Sequence, residues 1–125
     1  CSARSSTMAM GEQTDLYHYF YRYPNAAFQL PTDFDLGAYH AAEVQFVFGY
    51  RANAFIRRFN AEEQAMHDII RPYWGSFVRD HRPHGDALPE WPKYDAAEDN
   101  HLVLDLEVVT GTGAAAAQCE VWDAL

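Results

Sequence analysis

Residues 16–23 read LYHYFYRY, a run in which both alternating faces carry bulky side chains. Aromatic residues favour extended backbone, and Pro24-Asn25 closes the run with turn chemistry. Successive side chains of a strand point to opposite faces, so a strand of this composition needs cover above and below. Only one other segment reads as a convincing strand: HLVLDLEV at 101–108, where Leu102, Leu104 and Leu106 alternate with Val103, Asp105 and Glu107. Two strands cannot cover an aromatic interior strand. The expectation is an α/β architecture most of whose sheet lies outside these 125 residues. The start at Cys1, with no initiator methionine, also suits a piece of a longer protein.

Between the two strands the spacing predicts a helix from about Ala61 to Asp80. Asn60 is placed as its N-cap and Glu63 follows three residues on, the arrangement of a capping box. Met66, Ile69, Ile70, Tyr73, Trp74 and Phe77 form one core-facing stripe at helical spacing. Pro72 interrupts that stripe; it removes a backbone donor at a cost of about 3 kcal/mol, so a bend or a break is expected there. Residues 81–95, HRPHGDALPEWPKYD, read as an ordered loop held by Trp91. The alanines at 114–117 favour a closing helix with Cys119 and Trp122 on one face. The length is that of one domain, with 49% apolar residues and no sign of an internal boundary.

The net charge of −9 argues against a nucleic-acid or anionic-membrane partner, which would need a basic face. No apolar run approaches the roughly 20 residues that span a bilayer. The two cysteines, Cys1 and Cys119, stand near opposite ends and read either as unrelated thiols or as a pair closing nearly the whole chain. Of the six histidines, His81-x-x-His84 has a spacing that two metal ligands could use. No cysteine or acidic cluster lies close in sequence to complete that site, and no metal is expected. His18, His67 and His101 suit ordinary packing or exposure. His40 differs, because Gly37, Ala38, Ala41 and Ala42 leave its ring room to meet something. Those residues alone leave both a working base and an inert polar side chain open.

The stretch GAYHAAEVQFVFG at 37–49 resembles the histidine loop of the type-B carboxylesterase and cholinesterase-like family of α/β-hydrolases. LYHYFYRY is similar to the strand before that loop, and YWGSFVRDHRPHGD to a later helix and turn. EWPKYD and QCEVWDAL resemble the family's W-P-x-Y segment and its closing C-x-x-W helix. The resemblance implies that residues 1–125 are the C-terminal portion of one α/β-hydrolase domain, incomplete on its own: last sheet strands, histidine loop and C-terminal helices.

The family uses a triad in the order serine, acid, histidine. By resemblance His40 is the catalytic histidine, Glu43 a supporting acid behind it, and Cys1 and Cys119 a disulfide that points to a secreted or periplasmic protein. The implied activity is hydrolysis of a small-molecule carboxylic ester through an acyl-enzyme, without a cofactor. No G-x-S-x-G occurs, so the serine and the triad acid are expected upstream, in the remainder of the hydrolase domain that partners this segment. The alternative is a cholinesterase-like adhesion or binding domain that keeps the fold without the chemistry. Pro72 departs from the family helix.

Overall fold

The computed structural model describes residues 1–11, 13–26, 31–49 and 58–124. Its elements are, in order, α1 (Ser2–Met10), β1 (Tyr19–Tyr21), α2 (Val44–Phe48), α3 (Ala61–Asp80), β2 (Asn100–Leu104), β3 (Val109–Thr112) and α4 (Ala116–Asp123). The strands form a three-stranded sheet of order β1-β2-β3. β2 and β3 are antiparallel, with Asn100 opposite Thr112 and Val103 opposite Val109. By its contacts the chain divides into two compact units: Cys1–Phe20 with Glu90–Val103 and Val109–Leu125, and Tyr21–Pro89 with Leu104–Val108.

In the first unit, α1 buries no residue and is held by a disulfide at its N-terminal end and one ion pair. Cys1 is joined to Cys119 by a disulfide whose Cα atoms stand 4.9 Å apart. Arg4 Nε donates to Asp99 Oδ2 at 2.7 Å, and Asp99 Oδ1 accepts from the Tyr94 hydroxyl at 3.0 Å. The His18 carbonyl accepts from both Leu102 N at 3.0 Å and Trp91 Nε1 at 3.1 Å. Trp91 and Tyr94 are buried, so the 81–95 loop is pinned where its tryptophan was expected to hold it. Cys119 is buried, whereas Trp122, three residues on along the same side of α4, is 69% exposed. The disulfide draws the cysteine inward and leaves the tryptophan outside.

The strands are shorter than their apolar patterns suggest. The run expected at 16–23 is ladder-paired only over Tyr19–Tyr21, and Phe20 stays 41% exposed. Among the described residues β2 is its one hydrogen-bonded neighbour, so β1 is an edge strand of this sheet and not the interior strand expected. The strand expected at 101–108 stops at Leu104, and a further strand, β3, follows. The cause is Asp105: its carboxylate accepts from Leu106 N at 2.9 Å and from Arg22 Nε at 2.9 Å. A side chain that takes over a backbone donor ends the ladder.

In the second unit, α3 covers the span expected from the sequence. Asn60 accepts from Glu63 N at 2.9 Å while Glu63 Oε2 accepts from Asn60 N at 2.7 Å, completing the capping box. Met66, Ile70 and Tyr73 are fully buried; Ile69 and Trp74 are half-buried and Phe77 is exposed, which narrows the expected stripe. Pro72 does not split the helix. Each fully buried apolar side chain contributes about 1.5–3 kcal/mol. Met66 and Ile70 before the proline and Tyr73 after it therefore outweigh the missing hydrogen bond. Tyr73 also donates to the Pro89 carbonyl at 2.6 Å, tying the far side of the proline to the loop.

Candidate active-site turn

His40 lies in this second unit, on the turn that leads into α2. Asp35 Oδ1 accepts from Gly37 N at 2.8 Å, and Gly37 takes φ 56°, a left-handed conformation that glycine adopts readily. Ala42 N donates to Tyr39 O at 3.1 Å and Val44 N to Ala41 O at 3.2 Å, so the backbone coils tightly through the histidine. Ala41 has φ 65°, a conformation that costs a residue with a Cβ about 1–2 kcal/mol. Small side chains at 38, 41 and 42 let the turn close this tightly. The His40 ring is exposed, while Ala42 beneath it is 1% exposed.

The short helix after the turn is fastened to α3. Phe46 is fully buried, edge-on to Tyr23 with ring centroids 5.7 Å apart, and 5.2 Å from Phe59. His67 Nδ1 lies 2.6 Å from the Phe46 carbonyl. α2 ends at Gly49 with φ 60°, where a Cβ would come within 2.7 Å of His67 Cε1. Only glycine meets both demands, and His67 is thereby a packing partner of the turn-bearing helix.

Glu43 is half-buried and begins α2, its carbonyl accepting from Phe46 N at 2.9 Å and Val47 N at 3.1 Å. Its charge is felt at Tyr21, whose phenol is pushed well above the ordinary tyrosine range by burial first and by Glu43 next. The Tyr21 hydroxyl is buried with no hydrogen-bond partner among the described residues. The structure thus gathers His40 and Glu43 on one turn and sets Tyr21 near the acid. Tyr21 and Gln45 were not singled out from the sequence. A glutamine inside the apolar run EVQFVF was the available signal for the latter.

His81 and His84 lie away from this turn. His84 Nε2 meets Asp80 Oδ2 at 2.9 Å, and His81 caps the C-terminus of α3 at φ 57°. Among the described residues no group of three or more His, Cys, Asp or Glu side chains could hold a metal ion. The exposed imidazole of His40 can accept a proton and give it back. The sequence places no G-x-S-x-G nucleophile turn beside it.

A model of the Carboxylesterase family matches residues 1–122. The chain is 31% identical over 83 residues to a cocaine esterase of Homo sapiens, covering 66% of this chain and 15% of that protein. It is 32% identical over 108 residues to a medium-chain fatty acyl-CoA hydrolase precursor of Anas platyrhynchos, covering 83% and 18%. An acylcarnitine hydrolase of Mus musculus matches at 28% over 107 residues, covering 86% and 19%. Each match spans less than a fifth of the relative's length. Among solved structures, one described as PNB esterase superposes with a TM-score of 0.69 at 20% identity, over 90% of this chain and 22% of the other. That likeness fixes the fold as part of an α/β-hydrolase. The chain belongs to the carboxylesterase family.

Proposed function

We propose that this chain carries the general base of a serine carboxylic-ester hydrolase. The observation that supports this reading is the placement of His40: an exposed imidazole on a tightly coiled turn with a buried base, inside the stretch matched by the family. His40 takes the proton as a serine hydroxyl attacks the ester carbonyl, and returns it to the departing alcohol. Water then cleaves the acyl-enzyme, with His40 removing its proton. The serine and the triad acid belong to the remainder of the hydrolase domain, and Glu43 supports the turn from behind. The substrate is a small-molecule carboxylic ester, and no cofactor takes part. The Cys1–Cys119 disulfide suits an oxidising compartment, so a secreted or periplasmic protein is proposed.

The test uses the longer protein that contains this segment, assayed with a simple aryl ester. His40→Ala should lower turnover by about a thousandfold or more. Its thermal midpoint should be nearly unchanged, because the side chain is exposed. Near-normal turnover in the variant refutes the role of His40. A wild-type protein without ester hydrolysis supports the non-catalytic binding reading instead.

A further inference from the structure

Gln45 is the one polar side chain buried within α2, at 3% exposure between Val44 and fully buried Phe46. An amide taken out of water must be hydrogen-bonded to avoid a penalty of about 1–3 kcal/mol. It bonds to the turn that carries His40. Its Nε2 donates to the Ala42 carbonyl at 2.9 Å. Its amide also donates toward the Tyr39 hydroxyl, which tends to lower that phenol's pKa against the burial that raises it.

Tyr39 immediately precedes His40 and Ala42 lies two residues after it. One buried amide therefore bridges the two sides of the histidine from below. The residue between His40 and Ala42 is Ala41, held at φ 65°. A non-glycine residue stays in such a conformation only where its surroundings over-determine it. The Gln45 bridge supplies that restraint across the strained residue, while Phe46, the next residue of the same helix, packs against Tyr23 and Phe59.

We propose that Gln45 is a positioning residue for the reaction, setting the direction of His40 by clamping Tyr39 and Ala42. The proposal rests on His40 acting as the general base. Gln45 itself touches neither substrate nor the transferred proton. Its effect falls on proton transfer, which depends on the placement of the imidazole, and leaves ester binding alone.

The experiment measures kcat and KM on an aryl ester for the longer protein and for His40→Ala, Gln45→Met, Tyr39→Phe and the Gln45→Met/His40→Ala double variant. Methionine keeps the length of the side chain and removes both donors. Gln45→Met should lower kcat about 10- to 100-fold, the scale of a misplacement near 1 Å, with KM within about twofold. Tyr39→Phe breaks one arm of the clamp and should lower kcat several-fold while barely disturbing the fold. In the His40→Ala background, Gln45→Met should have no further effect, because its influence passes through the imidazole. If His40→Ala is inactive yet both Gln45→Met and Tyr39→Phe keep wild-type kcat, the clamp is overturned and the general-base reading stands. A Gln45→Met loss of equal size in both backgrounds marks a merely structural role and also overturns it. Retained activity in His40→Ala removes the general base, and the clamp falls with it.

Discussion

Breaking the Cys1–Cys119 bond should cost about 5 kcal/mol and release α1 first. The clean perturbation is Cys1→Ser. Cys1 is exposed while Cys119 is 1% exposed, so the substitution removes the cross-link and leaves the buried sulfur in place without opening a cavity. The bond joins residues 118 apart in sequence. Chain-entropy estimates for a loop of that size give about 16 cal/mol/K, or about 5 kcal/mol at about 25 °C, released to the unfolded state when the bond is absent. The loss is unevenly distributed. α1 has 9 residues, none of them buried, and so falls short of the roughly 12–15 that make an isolated helix even marginal. Without the disulfide its remaining described side-chain tie to the rest of the first unit is the partly exposed Arg4–Asp99 pair at 2.7 Å. A single bond to a charged group contributes about 1.5–3 kcal/mol, less than the cross-link it would have to replace. Urea unfolding of wild type and variant, with amide hydrogen exchange read over residues 2–11, tests both claims. The unfolding midpoint should fall sharply, and protection should vanish from α1 while α3 keeps its own. A variant within about 1 kcal/mol of wild type, with α1 still protected, would show that the cross-link neither stabilises the fold nor holds α1. Alkylation of both cysteines in wild-type protein isolated without reductant would remove its premise.

Asn60→Ala removes one half of the capping box and should lower stability by about 1 kcal/mol, measured as a shifted urea midpoint; no shift would mean the bond to Glu63 N contributes nothing net. His18 gives a pH dependence: burial first, and the His101 ring at 5.9 Å next, lower its pKa from the usual 6.5, with Arg4 acting the same way and Asp99 opposing. The unfolded chain then takes up the proton more readily than the folded one. Stability is full above about 6.5 and is lost as pH falls below it toward the depressed folded value. His18→Phe should flatten the acid limb of the thermal midpoint measured between about pH 7.5 and 5, and an unchanged slope would count against the assignment.

The helix α3 was legible because its start depends on local chemistry: Asn60 and Glu63 satisfy each other within one turn, and no distant residue is needed to place that end. The end of β2 was not legible from its pattern. Leu106 continues the alternation of Leu102 and Leu104, yet the Asp105 carboxylate binds Leu106 N and Arg22 and turns the chain away. A local side-chain bond competing with a ladder leaves no trace in hydrophobic period. α1 escaped for the opposite reason: it has no buried face to give a period, and a covalent tie made far along the chain holds it. Pro72 was read as a bend or a break because a proline's cost is local, whereas the burial of Met66, Ile70 and Tyr73 that keeps the helix in one piece is tertiary. At the candidate site, the small residues around His40 showed that the ring had room. The resemblance to the histidine loop suggested what it could do there. The buried amide of Gln45, which ties the turn together, became visible only with the Ala42 carbonyl 2.9 Å away.

The two ends of the histidine segment are restrained by different physics, and the proposed general base needs both. Below, Phe46 is locked by aromatic packing, and Gly49 lets α2 approach His67 so closely that a Cβ would fall 2.7 Å from its ring. That contact fixes where the segment lies. It does not fix which way His40 points, because the turn above is built from alanines and glycine that offer little surface to pack. Direction has to come from hydrogen bonds: Gly37 to Asp35, Ala42 to Tyr39, and Gln45 to Ala42. Proton transfer tolerates little error in the angle and distance of the accepting nitrogen. Small side chains keep the imidazole accessible, and the bonded backbone keeps it aimed. Larger residues at 41 or 42 would add packing, but residue 42 is already 1% exposed and residue 41 sits at φ 65°, so added bulk would displace the turn it was meant to steady.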